Sequence, residues 1–370
     1  MMNGWLGDSY VSESTTWNLL SAVMIRAVYC GSAMKIFHVG RCDFLLCCAF
    51  LVGLAHSVEA CGQQARFSQS VPRNPTGLKQ PSVTTAAGPV IPGLQQGAVP
   101  QGIAFVPKNN VMLISHDFGK AASCVSVIDV ATGKMSSHVT LQDQTKQPHY
   151  GHVGGIVAVK DSLFVASDER VLHYNLTDFV TLNPRSPVSA TASWKSETKA
   201  SFCTTAPGLL LVGEFAYGLK YRTKPSHHLT DRMGVRKFAW VCGYDVNHPM
   251  ADPTCVLSVR QRAQGMCVSG DRVYLSISYG RSKRSLIAVY RNPIGKDAHQ
   301  RVEVIPGKEI PLWFLDGKNY IGEIDCPPMS EGIAMVGDQL AVVFESGADQ
   351  YQLGGQGPVD RVLLLDVSQF

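Results

Sequence analysis

Residues 101–117 read QGIAFVPKNNVMLISHD, and residues 331–345 read EGIAMVGDQLAVVFE. In each, an apolar run opens on Gly-Ile-Ala, breaks at a short polar turn and resumes as a second apolar run with a polar end. Short β-branched and apolar runs split by a turn of Asn, Asp or Gly are hairpin signals. The same unit opens at Gly155-Ile156-Val157 and Gly265-Met266-Cys267, and in weaker form at Ser201-Phe202-Cys203. Their second runs are LFVAS (163–167), VYLSI (273–277) and LLLVG (209–213), with turns such as Lys160-Asp161, Gly270-Asp271 and Gly337-Asp338 between. A third run follows each unit: VSVIDV, VLHYNL, WVCGYDV, LIAVYRN and VLLLDV. No stretch of this body carries the 3.6-residue apolar period of a three-turn amphipathic helix.

The five units start at 102, 155, 201, 265 and 332, so they are spaced by 53, 46, 64 and 67 residues. Three- or four-stranded sheets recurring at such intervals read as blades of a β-propeller. The expectation is an all-β chain with a five-bladed ring over 101–370, closed by residues around 85–100 adding a strand to the last blade. A six-bladed ring with a hidden blade inside 216–262 is the alternative, and a β-sandwich explains the Gly-Ile-Ala recurrence less well.

The length of 370 residues allows a large core. Only 17% of residues are charged, against about 25% in ordinary soluble domains, which argues against a disordered chain or a coiled coil. The formal charge of +4 gives no field of the kind a dedicated nucleic-acid binder carries. No apolar run reaches the roughly 18 residues of a membrane-spanning helix.

Residues 34–60 have the layout of a secretory signal peptide: Lys35 and Arg41, an apolar stretch from Phe44 to Ala55, then Val58-Glu59-Ala60 before Cys61. Because this layout begins at Met34, residues 1–33 read as an upstream extension. Cleavage before Cys61 and lipid attachment on Cys61 fit about equally: Val58 and Ala60 suit a lipoprotein signal and Glu59 does not. Setting Cys61 aside leaves six cysteines in the body, an even number. Residues 61–100, rich in Gln, Pro, Ser, Thr and Gly, read as a flexible linker. The expected location is outside the cytoplasm: periplasmic, secreted or cell-surface. A lipid on Cys61 would be the only membrane contact, and the chain is expected to be a monomer.

The QGIA and EGIA starts with their strand triplets resemble the broad superfamily of secreted lactonase-like, glutamine cyclotransferase-like and arabinanase-like propellers. The resemblance covers about 101–370 and implies architecture alone, since no catalytic signature of any of these groups is complete and a propeller does not dictate an activity.

In a propeller blade the first strand lines the channel and the second runs back beside it. The start of one and the end of the other therefore share a face. Thirteen residues on from the unit starts stand Asp168, Glu214, Ser278 and Glu345, and, allowing one extra turn residue in the first unit, His116. Just before the starts stand Gln101, His152, Gln264 and Glu331, with Asp117, Tyr279 and Arg281 extending the set. Crowded carboxylates need a cation, a shared proton or a cationic ligand. An oxygen-rich set with an imidazole suits Ca²⁺, Mg²⁺ or Mn²⁺, with His116, Asp168, Glu214 and Glu345 as the expected ligands. The leading expectation is binding of a small molecule, glycan or protein partner at the channel mouth. The alternative is a metal-assisted hydrolase or lyase, with Glu214 and Glu345 as the acid–base pair and His116 or His152 as shuttle. The plainer reading of such carboxylates is a solvated strand end.

Cys242 and Cys255 flank a turn-rich loop and are expected to face each other as a cross-strand disulfide, and Cys124 and Cys326 are read as neighbours in the ring. Cys203 and Cys267 fall at the small-residue position of the repeat and read as buried apolar side chains. The stretch 219–237 is the most basic of the body, with Lys220, Arg222, Lys224, Arg232, Arg236 and Lys237. It reads as a solvated loop, or as a cap over the mouth.

Overall fold

The computed structural model describes residues 67–72, 82–181, 186–353 and 357–370. The extension, the signal peptide and Cys61 lie outside them.

Five sheets, antiparallel apart from one parallel outer pairing in each of two of them, form a ring. Their innermost strands are Val99–Val106, Gly155–Val159, Phe202–Ala206, Ala263–Ser269 and Ser330–Val336. Each packs against the next, and the fifth against the first. The chain is a five-bladed β-propeller. The stretch 216–262 holds no sixth blade: it contributes a long loop and the third and fourth strands of blade 3, Ala239–Asp245 and Cys255–Val259. The long spacing after the fourth unit has a separate cause. The hairpin Gln300–Ile305 and Lys308–Phe314 leaves blade 4 and extends blade 3, with Lys308–Phe314 running parallel to Cys255–Val259.

The recurrent glycines are explained at the axis. A methyl group on Gly102 would meet the backbone of Gly155 and Ile156, and one on Gly332 would meet that of Gln101 and Gly102. Only glycine allows neighbouring inner strands so close. Blade 3 solves the problem differently. Phe202 stands in the glycine position, and Gly213 opposite it leaves room for its ring.

Strand alternation sends successive side chains to the two gaps flanking a blade. Five apolar cores result, one per gap. Ala104 packs with Ile156 and Val165 between blades 1 and 2, while Ile103 packs with Ala341 and Val343 between blades 5 and 1.

The ring closes as expected from the segment before 100: Thr85–Val90 pairs with Arg361–Asp366 as the fourth strand of blade 5. The boundary at 101 is therefore corrected, since the later part of 61–100 is structural. Residues 67–72 also lie on the body. Ser70 Oγ accepts from Leu94 N at 3.0 Å, and Phe67 packs edge-on to His116 and Phe118.

The expected disulfide is overturned. Cys242 lies opposite Val256, and Cys255 lies opposite Gly243. This one-residue offset points the two thiols to opposite faces of blade 3. Cys242 packs into the core shared with blade 2 and Cys255 into that shared with blade 4. Cys326 lies on the outer strand of blade 4 and Cys124 in blade 1, which are not adjacent. All six body cysteines are free and buried, so their even number gives no support to a lipid on Cys61. Burial pushes the Cys203 thiol up to about 12 and the Cys267 thiol to about 11. Both are inert small apolar groups; Cys267 holds the small-residue position of the repeat as expected, whereas register places Cys203 one position earlier, level with Ile156 and Ile333.

Candidate functional site

Pairing across the inner hairpins decides which residues share the channel mouth. Ile156, Cys203, Met266 and Ile333 each face a residue nine positions on, but Ile103 faces Ile114, eleven on. The first turn is longer by two residues, not one, because Pro107–Asn109 forms a 3-10 turn. The third unit starts at Phe202, not Ser201. The equivalent positions round the ring are therefore Asp117, Asp168, Phe215, Ser278 and Glu345. His116 and Glu214 are each one residue off, and a one-residue slip reverses the face.

His116 is wholly buried in blade 1. Its Nε2 lies 2.8 Å from Ser126 Oγ and its ring packs on Phe67. Burial, with His138 adding to it, pulls its pKa to about 3, so it is neutral and serves as no proton shuttle at the mouth. Glu214 is buried inside blade 3. It accepts from His227 at 2.6 Å and from the Trp240 backbone N–H at 3.0 Å, while the His227 ring stacks on Trp240 with centroids 4.0 Å apart. Its hydrogen bonds all lie within blade 3 and its loop, so Glu214 and Glu345 form no acid–base pair. Ser278 accepts from Ser285 Oγ, which itself accepts from the Ser330 backbone. It joins a chain of hydroxyls tying blade 4 to blade 5.

The remaining residues do converge. Gln101 donates to Glu345 at 2.6 Å and Gln264 donates to Glu331 at 2.8 Å. These are two amide–carboxyl pairs set by equivalent residues, each standing just before the glycine of its inner strand. His152 Nδ1 lies 3.1 Å from Asp117, and its backbone N–H donates to Asp168 at 2.8 Å. Arg281 lies over the Tyr351 ring at 5.0 Å. At the lip, Tyr279 sits against Tyr217 (centroids 4.2 Å), with Phe215 and Tyr221 beside them.

The electrostatics bind this set together. Burial raises Glu331 well above the carboxylate range, Glu345 raises it further, and the Gln264 bond offsets only part. Burial also raises Glu345, against the lowering effects of Gln101 and His152. Burial opposes charge on His152, but the Asp117 hydrogen bond and the charges of Glu345, Asp117 and Asp168 prevail and raise it. Tyr351 is pushed up to about 12 by burial and then by Glu345 and Glu331. Gln101 is 1% exposed, and its Oε1 has no hydrogen-bond partner among the described residues. An orphaned buried acceptor beside carboxyl groups lacks a donor.

The set does not fit the expected divalent cation. Among the described residues no three His, Cys, Asp or Glu side chains gather as metal ligands. Of the four expected ligands, His116 and Glu214 are committed elsewhere, Asp168 holds the His152 backbone and Glu345 holds Gln101. Two groups carried no sequence signal that the repeat would reveal. Tyr351 comes from the short helix Asp349–Gln352, and Tyr217 and Tyr221 come from a loop. Phe215 had one, since correct register places it in the ring.

No protein-family model matches the chain, and no curated protein matches it in sequence. Among solved structures it is similar to Myxococcus xanthus glutaminyl cyclase, with TM-score 0.42, 8% identity, and 78% of this chain and 97% of that one covered. It is also similar to Kuenenia stuttgartiensis hydrazine synthase, with TM-score 0.35, 11% identity, and 66% of this chain covered. The chain spans 55% of that protein's length. A nidogen/laminin complex structure gives TM-score 0.34 and 10% identity, covering 67% of this chain and 73% of that one. Likenesses of this degree leave the fold to be read from the ring itself.

Proposed function

We propose that this propeller is an exported binding protein whose channel mouth takes a small molecule carrying a protonated amine. The orphaned Gln101 Oε1 carries the reading. An ammonium group would donate to it and to the adjacent Glu345 carboxylate, the kind of charge-assisted pairing that a buried carboxyl needs. The neighbouring Glu331 would stay protonated, and the aromatic lip around Tyr279 would cover the apolar part of the ligand.

Calorimetry with putrescine and agmatine, beside neutral diols of the same length, tests this. The amines should bind saturably and the diols should not. Glu345→Gln should weaken binding at least about ten-fold, as loss of a charge-assisted bond implies. Binding should tighten as the pH rises above the ordinary carboxylate range, because Glu345, raised by burial, must ionise. Amine binding that is absent, or indifferent to Glu345→Gln, would sink the proposal.

A second reading rests on the raised pKa of both Glu331 and Glu345. Neighbouring carboxyls, one protonated and one ionised, can serve as acid and base in a hydrolase or lyase. Turnover of a glycoside or lactone that Glu331→Gln and Glu345→Gln both abolish would favour it.

A further inference from the structure

Next to the aromatic lip, between the outer parts of blades 3 and 4, lies a cleft of about 400 Å³. Its walls come from the loop before Ala239, the 260–262 crossover, and the outer strands of blade 4. Four cations line it: Arg236, Lys237, Arg260 and Arg262. Two carboxylates, Asp316 and Glu323, also line it.

Of the two lining carboxylates, Asp316 is already committed to a cation. Asp316 is held bidentately by Arg232, with both bonds at 2.7 Å. Lys237 is paired with the buried Asp231 at 3.1 Å. Glu323 accepts from the Tyr320 hydroxyl at 3.1 Å. Arg236, Arg260 and Arg262 have no carboxylate within ion-pair distance among the described residues. Arg262 is locked in place. Its backbone takes φ of 69°, a left-handed conformation that arginine rarely adopts. Two backbone bonds hold it there, Arg262 N to Ala216 O and Ser278 N to Arg262 O, while its guanidinium lies 5.0 Å from the Tyr217 ring centroid. Tyr290 and Tyr320, with rings edge-to-face at 5.6 Å, give the cleft an aromatic wall, and Arg260 lies at the Tyr290 hydroxyl.

Strain persists where surrounding structure over-determines it, and it collects at binding sites. Guanidinium forks without carboxylate partners match the geometry of an oxyanion. The volume is that of a small-molecule site. We infer that this cleft, whose lining shares none of the carboxyl and amide groups of the mouth, is a second ligand site for a small molecule bearing a phosphate or carboxylate group.

The test uses the full chain at constant ionic strength, with inorganic phosphate and succinate titrated separately and followed by thermal melting and calorimetry. At least one should bind saturably and raise the melting temperature, and which one does so identifies the oxyanion. The Arg236→Gln/Arg260→Gln double variant should bind at least ten-fold more weakly. Arg301→Gln, on the outlying hairpin, should bind as wild type. Arg236 is exposed, so Arg236→Gln alone keeps the fold and should still cost several-fold. Absence of saturable binding by both anions would overturn the inference, as would equal binding by the double variant and wild type.

Discussion

At the residue scale, two buried titratable groups set opposite pH dependences. His116 holds its pKa at about 3 against an ordinary 6.5, because burial favours the neutral ring. Its contribution to stability is therefore whole above pH 6.5, and falls by about 1.4 kcal/mol per pH unit as the pH drops from 6.5 towards 3. His116→Gln keeps a partner for Ser126 and removes that slope. In urea melts the gap between wild type and variant should narrow steadily from pH 7 to pH 4, and a constant gap would refute the assignment. Glu331 works the other way. Its pKa is raised above the ordinary 4.5 by burial and by Glu345, so its contribution is full below 4.5 and is lost as the pH climbs through the raised value. Glu331→Gln keeps an acceptor for Gln264. It should melt a few degrees above wild type at pH 7, at about 2–4 °C per kcal/mol for a large domain, and converge with it near pH 4. These two residues also mark what could be read beforehand. The mouth was legible where the repeat counted true, at Asp168, Glu331, Glu345, Gln101 and Gln264. It failed at His116 and Glu214, because a one-residue error in turn length or unit start turns a strand residue to the other face. Turn length is set by the 3-10 turn at Pro107–Asn109, whose second extra residue nothing in the apolar pattern reveals.

At the element scale, the inner strand is the part most tightly dictated by sequence, because five copies of it meet at one axis. Gly155 shows how tightly. A methyl group there would overlap the Cys203 backbone nitrogen and the Phe202 Cα, neither of which can rotate away. Gly155→Ala should destabilise by about 3 kcal/mol, the upper end for overpacking. Gly208→Ala, in a hairpin turn with φ of 77° and nothing within reach of the new methyl, should cost only about 1 kcal/mol of backbone strain. Urea unfolding of the pair checks the ranking, and equal losses would remove close strand approach as the reason for the repeat. The outer strands were less legible for the complementary reason. They repeat weakly, and parallel pairing of Lys308–Phe314 on Cys255–Val259 joins segments about fifty residues apart with no shared motif. The cysteine pair fails at this scale too: equal distances from a loop centre look like facing partners until the strand register is known.

At the scale of the whole molecule, stability depends on closing the ring. Blade 5 takes three strands from the end of the chain and its fourth, Thr85–Val90, from near the start of the described body. Because the chain runs from Thr85–Val90 straight on to Val99–Val106 of blade 1, this pairing fastens the two ends of the chain across the gap between blades 5 and 1. The segment 67–72 adds a second fastening. Gln69 bridges the Val90 carbonyl and the Met135 backbone N–H, and Phe67 fills the space over Gly93. Two shortened chains separate these contributions. A chain beginning at Ser82 keeps the closing strand and loses the Phe67 and Ser70 contacts. It should unfold in one transition, less stable by about 2 kcal/mol, the worth of one half-buried aromatic side chain and a hydrogen bond. A chain beginning at Ile91 lacks the fourth strand altogether and leaves Arg361–Asp366 as a bare, apolar sheet edge. Such an edge pairs with other copies, so this chain should lose its single cooperative transition and sediment as oligomers. Urea melts followed by tryptophan fluorescence, with sedimentation velocity on the same samples, distinguish the cases. If the chain from Ile91 unfolded as cooperatively as the chain from Ser82 and stayed monomeric, the fourth strand would be an ornament of blade 5, and the ring would be held by its five inter-blade cores alone.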